Sequence, residues 1–508
     1  MATIDKLLKH RAHFSPNLEA LVSGNKRYTY EEYLKRVNQL AHYLLEQNVQ
    51  KGDRVALLCK NNHHFPTILM AILHIGAVAV PISWKLSADE MKFITNNCQP
   101  KILFYDEEFA PLLSSVKDSS ILPTLVLAGD DTDTTSSFEE LLAGRMTKNP
   151  YHISIEKEDP AVIIYTSGTT GMPKGVVITH ENICSAIPGT SMAVEFNFED
   201  RYLAASPLFH VSGLIAMICS IQQGMTMIFM TDFDPVQIWD LIEAEKVTTM
   251  MSVPPMLFYM HPEFKNKERE ISHLKSFICG GIKVPETLIR QYDDLGISIT
   301  QVYGCTEAAG AISCWTTKMG MDQCMSVGKV ALGLDVKIVD PETRQEVPLE
   351  NVGEIAIKGA QIFREYWAHP EATQQVFEEG WFFTGDAGKI DESGFLYVLD
   401  RYKDLIINGG ENIYPAQVEE VIIEMNEVQE VALIGIPDEI YGEIPRAYIV
   451  KKPNHHLKSE DILSHCKRKI ANYKLTEIVF VDELPKSSFG KVMKSVLREQ
   501  AIKELQIQ

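Results

Sequence analysis

The chain has 508 residues, too many for one ordinary hydrophobic core, so at least two domains are expected. Its 45% hydrophobic and 23% charged content are those of a globular protein. A formal charge of −20, from 68 acidic and 48 basic side chains, repels phosphate backbones and anionic lipid, which argues against nucleic-acid binding and a polybasic membrane anchor while leaving room for local basic pockets.

The first residues, MATIDKLLKHRAHF, lack the apolar centre of a signal peptide, so a cytoplasmic location is expected. Thr29 to Glu32 reads as a capping box opening a helix with Tyr33, Leu34, Val37, Leu40, Ala41, Leu44 and Leu45 at helical spacing; Gly52-Asp53 is expected to stop it. Arg54–Cys59 reads as a buried strand. A helix through Ile68–Leu73, a strand Ala77–Ile82, a helix capped by Ser87 to Glu90 and a strand Lys101–Tyr105 follow. This alternation implies a largely parallel, doubly wound sheet. The apolar stretch Ile68–Ile82 is too short and too interrupted by His and Pro to span a bilayer. The polar run from Asp130 to Ser137 reads as a solvated loop. The nine cysteines are odd in number and contain no C-x-x-C pair, so they read as buried thiols in a reducing compartment rather than a zinc site or a disulfide framework.

The most informative stretch runs from Ala161 to His180: an apolar strand, a loop of Thr166, Ser167, Gly168, Thr169, Thr170 and Gly171, then Lys174 and a second β-branched run. Glycines let such a loop turn its N–H groups towards phosphate oxygens; the hydroxyls add donors and Lys174 adds charge. It is not a Walker A loop, which needs G-x-x-x-x-G-K-[ST] before a helix. The bland alternative is a flexible hairpin loop.

TSGTTGMPKG resembles the phosphate-loop signature of the adenylate-forming superfamily, which holds acyl- and aryl-CoA synthetases, nonribosomal adenylation domains and beetle luciferases. Further signatures recur in the family's order over essentially the whole chain. Pro207 to Gly213 is similar to the segment that sets an aromatic residue or His210 beside the acyl carboxylate; alone, such a His is more often a core residue. Cys279-Gly280-Gly281-Ile282 resembles the glycine turn flanking adenine. In Tyr303-Gly304-Cys305-Thr306-Glu307, the resemblance implies that Tyr303 stacks on adenine, Thr306 meets the α-phosphate and Glu307 holds Mg²⁺; a hard carboxylate oxygen suits a hard cation. It further implies that Asp386 accepts from both ribose hydroxyls, that Arg401 is the second ribose contact and that Lys403 is a hinge. Gly409 and Gly410 fall in the loop expected to line a thiol tunnel. In Pro485-Lys-Ser-Ser-Phe-Gly-Lys491, Lys491 corresponds to the catalytic lysine that offsets transition-state charge. Two positions depart from the pattern: Glu365 stands where relatives commonly have Gly, and Cys305 at a usually variable site.

Glycines become regular after about residue 315, which suggests an antiparallel subdomain, and from Asp404 the pattern is α+β. The expected fold is therefore α/β: a large N-terminal domain, residues 1–402, with doubly wound mixed or parallel sheets and a small antiparallel subdomain, and a small mobile α+β C-terminal domain, residues 403–508, carrying the catalytic lysine. The resemblance implies an ATP-dependent acid–thiol ligase that uses Mg²⁺ and coenzyme A. A scaffold that has lost chemistry, a luciferase-type oxidase and a carrier-protein-loading enzyme are the rival readings. Val211, Gly213, Leu214, Cys279, Ala308, Ala309 and Gly310 are expected around the acyl group. They are apolar and small, with no charged partner for a second group on the acid, which favours a medium- or long-chain fatty acid over an aromatic acid. The sequence leaves the oligomeric state open.

Overall fold

The computed structural model describes residues 3–113, 124–128, 137–150, 153–166, 173–264, 268–409, 411–438, 440–453, 455–470, 474–486 and 491–507. The chain divides into two compact units: Met1–Val336 with Ile357–Phe382, and Lys337–Ala356 with Phe383–Gln508.

In the first unit, local sequence signals set the early elements. Thr29 and Glu32 form the expected capping box at the start of helix Tyr30–Glu46, and Ser87 and Glu90 form another at helix Ala88–Cys98. The first helix stops earlier than Gly52-Asp53: it closes at Gln47, and Asn48 turns the chain in the left-handed region at φ 59°. Asn tolerates that region better than most residues, which makes a glycine stop unnecessary. The strands expected at Arg54–Cys59, Ala77–Ile82 and Lys101–Tyr105 form as Arg54–Leu58, Val78–Pro81 and Ile102–Tyr105. They pair in parallel, flanked by Thr124–Leu127 on one side and Pro160–Thr166 on the other. Lys174–Thr179 and Glu365–Tyr366 extend the sheet antiparallel, giving seven strands. The helix His64–His74, between strands Arg54–Leu58 and Val78–Pro81, is buried along its whole length.

A second sheet of nine strands has Glu19–Ser23, Thr226–Phe229, Arg201–Ala204, Thr249–Ser252, Ser276–Gly280 and Ser298–Cys305 as neighbouring parallel strands. Antiparallel edges close both sides: Lys26–Thr29 at one, Gly310–Trp315 and Lys329–Val330 at the other. The parallel strands are buried over most of their length, and Thr226–Phe229 and Ser276–Gly280 are mainly apolar, as burial on both faces favours. Met225, Met227, Met250 and Met260 are all core residues.

The texture change after residue 315 corresponds to an antiparallel sheet of Asp335–Val339, Gly353–Lys358, Trp381–Ile390 and Phe377–Glu378, with Leu396–Arg401 paired to Trp381–Ile390. The division between the units falls inside its strands. The rest of the second unit is α+β. Long strands Val428–Asp438 and Gly442–Lys451 form a hairpin, joined by Ile406–Asn408, Glu411–Ile413 and Glu477–Phe480. Helices Pro415–Ile423 and Ser459–Lys467 cover a core of Ile406, Ile413, Val418, Ile422, Leu433 and Ile449 on one side. On the other, Leu497 and Ala501 of helix Lys494–Ile507 pack with Ile434, Tyr448 and Leu484. The polar run at 130–136 lies outside the described residues. Among the described residues no helix is long and apolar enough to cross a membrane.

Candidate active site

In the first unit, the apolar β-branched runs on either side of the phosphate-loop motif make an antiparallel hairpin. Thr166 is the last residue of one strand and Lys174 the first of the other, and the two are paired in register. Ser167, Gly168, Thr169, Thr170 and Gly171 lie outside the described residues. Both ends of the loop are therefore fixed by a sheet, and Lys174 is half-buried at its mouth.

Tyr303, Thr306 and Glu307 sit at the end of strand Ser298–Cys305. The register slips between Tyr303 and Gly304, so the strand carries a bulge at this point. A bulge adds local twist and re-aims side chains. Gly304 permits it: a Cβ there would lie 2.0 Å from the Gly310 carbonyl oxygen. Gly280 meets the same constraint, with the Val302 carbonyl oxygen 2.4 Å from where its Cβ would stand. The chain then makes a 3-10 turn, Thr306–Ala308, and Ala309 closes it at φ 50° with its N–H donating to the Thr306 carbonyl at 3.0 Å. Tyr303, Thr306 and Glu307 are half-buried; Ala308 and Ala309 are buried.

A residue that the sequence reading left without a role joins these two places. The Tyr366 hydroxyl donates to Glu307 Oε1 at 2.9 Å, and its ring lies under the Lys174 ammonium at 5.1 Å from the ring centroid. That is one neutral-to-charged hydrogen bond and one cation–π contact from a single side chain. The surrounding backbone holds Tyr366 in place. The Phe363 N–H donates to the Glu307 carbonyl at 2.7 Å, and Glu365–Tyr366 pairs with Val177 and Val176. The Gln361 amide donates to the carbonyls of Ala308 and Ala311, both at 2.9 Å. Glu365, where a glycine is usual, takes a regular edge-strand position.

His210 is the residue before helix Val211–Gln223, half-buried, with its ring 4.4 Å from that of Phe209. Trp84 meets Phe209 edge-on at 4.6 Å and stacks with Phe109. Asn61 fixes the segment by donating to the carbonyls of Ala204 and Ser206 and accepting from the Leu208 N–H. Of the residues expected around the acyl group, Gly213, Leu214, Cys279, Ala308 and Ala309 are buried, and Val211 and Gly310 are partly exposed. Burial pushes the Cys279 thiol up to about 12, so it is protonated and chemically quiet. Gly281 is exposed beside Gly280.

In the second unit, Asp386 and Arg401 face each other across two antiparallel strands, with Arg401 Nε 2.9 Å from Asp386 Oδ1. The Asp386 side chain is 7% exposed, and its backbone N–H donates to Thr384 Oγ1. Asp400, next in the strand, accepts from the Arg401 N–H at 2.8 Å and from the Ala416 N–H at 2.7 Å. Ala416 lies in the first turn of helix Pro415–Ile423, where the backbone has N–H groups to spare and favours a carboxylate. Lys403 is exposed in the 3-10 turn Tyr402–Asp404. Gly409 is exposed at φ 59°, its N–H donating to the Tyr441 carbonyl at 2.8 Å; Gly410 lies outside the described residues. Lys491 is exposed, one residue before Val492, which bridges to Lys486.

Among the described residues no cluster of three or more His, Cys, Asp or Glu side chains is placed to hold a metal ion unaided. Glu307 is a single half-buried carboxylate held by one neutral donor, which fits a cation that takes most of its other ligands from substrate phosphates and water.

Comparison with known proteins gives a consistent result. The family model described as AMP-binding enzyme matches residues 8–367, and the AMP-binding enzyme C-terminal domain matches residues 417–491. YdaB of Bacillus subtilis, provisionally named an acyl–CoA ligase, is 42% identical over 99% of this chain and 100% of its own. The long-chain-fatty-acid–CoA ligase FadD13 of Mycobacterium tuberculosis is 37% identical over 98% of this chain and 99% of its own. Among solved structures, the O-succinylbenzoate–CoA synthetase MenE from Bacillus subtilis, in complex with ATP and a magnesium ion, superposes with a TM-score of 0.87 at 30% identity, covering 98% of this chain and 99% of that one.

Proposed function

The chain belongs to the AMP-binding enzymes of the adenylate-forming superfamily, and from that premise we propose that it is an ATP-dependent fatty acid–CoA ligase working through an acyl-adenylate. The observation that carries the reading is the tie from Glu307 through Tyr366 to Lys174: it groups a carboxylate suited to Mg²⁺ with a lysine at the mouth of a phosphate-loop motif. A long-chain-fatty-acid–CoA ligase matched from end to end, and the lack of any charged side chain among the residues expected around the acyl group, favour a fatty acid of medium or long chain.

In the first step the acid's carboxylate attacks the α-phosphorus of ATP, and pyrophosphate leaves. Lys174 and Lys491 supply positive charge to the phosphate oxygens as negative charge grows, the dominant contribution to catalysis in such transfers. Glu307 would hold magnesium, which supplies further charge neutralisation when bound. Tyr303 offers a face to adenine, Thr306 a hydroxyl to the α-phosphate, and Asp386 with Arg401 hold the ribose. In the second step the CoA thiolate attacks the acyl carbon of the mixed anhydride and AMP leaves. We assign the change between steps to a turn of residues 403–508 at Lys403, which exchanges Lys491 for the Gly409–Gly410 loop.

AMP release with CoA, measured over linear fatty acids of increasing length and a set of aryl acids, tests this reading. Activity that peaks on a fatty acid and needs CoA supports it. A peak on an aryl acid reassigns the substrate, and pyrophosphate release without CoA dependence points to carrier-protein loading.

A further inference from the structure

The charged residues of the second unit form a group that the mechanism above leaves unused. Lys494 opens helix Lys494–Ile507, three residues after Lys491. Its Nζ lies 2.8 Å from Glu419 Oε1, with the two side chains only 15% and 21% exposed. Glu419 Oε1 also accepts from the Leu433 N–H at 2.7 Å. Asp400 adds a second negative charge acting on Lys494 while its Oδ2 holds the Ala416 N–H. Four residues further along the helix, Arg498 Nη2 donates to Asp404 Oδ1 at 2.9 Å.

A lysine withdrawn this far from water is costly unless its charge is matched; here Glu419 pairs with it directly, and Asp400 and Asp404 add negative charge nearby. The match also fixes geometry. Lys494 pins the C-terminal end of the segment that contains Lys491. The other end is pinned by the Lys486–Val492 bridge, by the Met493 N–H donating to the Pro485 carbonyl at 2.8 Å, and by Lys486 Nζ at 2.7 Å from Glu430 Oε1. The exposed Lys491 thus stands between two fixed ends.

We propose that Lys494, through Glu419 and Asp400, is a positioning residue that holds Lys491 in register for adenylation. The proposal rests on the reading of Lys491 as the adenylating lysine. It predicts damage to one half-reaction: a lysine displaced by an ångström no longer offsets charge where the charge develops, whereas thioester formation does not use it.

The test compares Lys494→Met, the charge-free pair Lys494→Met/Glu419→Gln, which keeps an acceptor for the Leu433 N–H, and Lys491→Ala. Adenylation is read as ATP–pyrophosphate exchange with dodecanoate, or with the acid that the panel above ranks first. Thioester formation is read from the corresponding acyl-adenylate with CoA. Lys494→Met should lower the adenylation kcat at least tenfold, with the ATP KM and the thioester step within about threefold of wild type. The double variant removes the stranded Glu419 charge and should regain melting temperature without regaining adenylation. Adenylation and thioester formation falling together, or adenylation recovering with stability in the double variant, would make the group merely structural and overturn the proposal. If Lys491→Ala still adenylates at the wild-type rate, the reading of Lys491 itself fails and the positioning role falls with it.

Discussion

The two units place their candidate chemistry by different physical means. Around Tyr303, Thr306 and Glu307 the chain is positioned by shape: a bulge, a carbonyl oxygen where any Cβ at Gly304 would go, and a tyrosine that reaches two neighbours at once. Around Asp386, Arg401, Asp400, Glu419 and Lys494 it is positioned by charge: ion pairs and carboxylate-to-backbone bonds. The first kind of site should tolerate changes of charge at fixed volume better than added volume. The second should show the reverse, and a set of substitutions and a titration can break that contrast.

The largest effect is expected from Gly304→Ala. The added methyl would meet the Gly310 carbonyl oxygen at 2.0 Å, so backbone must move; overpacking of this kind costs about 3 kcal/mol or more. Thermal or denaturant unfolding measures it, and a variant as stable as wild type would remove shape as the governing constraint. Next is acid. His180 is buried with Nδ1 accepting from the Ile4 N–H at 3.3 Å, and burial, outweighing the pull of Asp5 and Asp159, lowers its pKa to about 4. The unfolded chain takes up this proton near pH 6.5 and the folded one only near 4. Stability should therefore fall as pH drops through that window, by roughly 3 kcal/mol at the acid end. His180→Gln, unfolded by urea at pH 7 and pH 5, should lose less on acidification than wild type.

In the second unit, Asp386→Asn keeps the volume and removes the charge. It should raise the KM for ATP about tenfold, close to the 1.5 kcal/mol of a charge-assisted hydrogen bond, with little loss of melting temperature. An unchanged KM would separate Asp386 from nucleotide binding. The smallest effect is Tyr366→Phe, which keeps the ring under Lys174 and removes the bond to Glu307. A loss of about 1 kcal/mol, or fivefold in kcat/KM for ATP, is expected. Tyr366→Leu, which also removes the cation–π contact, should lose more, and equal losses would mean that the hydroxyl acts alone.

The contrast also explains what could be read from the sequence. The capping boxes at Thr29 and Ser87, the parallel strands and the order of the signature motifs are local patterns, and they stand where they were expected. The helix ends before Gly52 because Asn48, three residues after Leu45, the last apolar position of the helical pattern, makes the left-handed turn itself. Tyr366 is legible in the sequence only as the aromatic that follows Glu365, and nothing there gives it a role: its strand is two residues long, and its partner Glu307 lies 59 positions away. Glu419 and Lys494 look like ordinary surface charge in the sequence, and Asp400 is legible only as the first residue of the charged run that ends at Asp404. Only the fold brings them together, and nothing periodic marks them beforehand.

None of the nine cysteines, all among the described residues, is in a disulfide. Seven are buried, and the other two, Cys184 and Cys305, are partly exposed. Burial raises the Cys184 thiol to about 11, which leaves it little thiolate at neutral pH. Cys305, set between Gly304 and Thr306, is then the natural attachment point for a thiol-reactive fluorophore. If nucleotide binds where Tyr303 and Thr306 are proposed to hold it, a dye on Cys305 should change its fluorescence as the nucleotide enters and leaves.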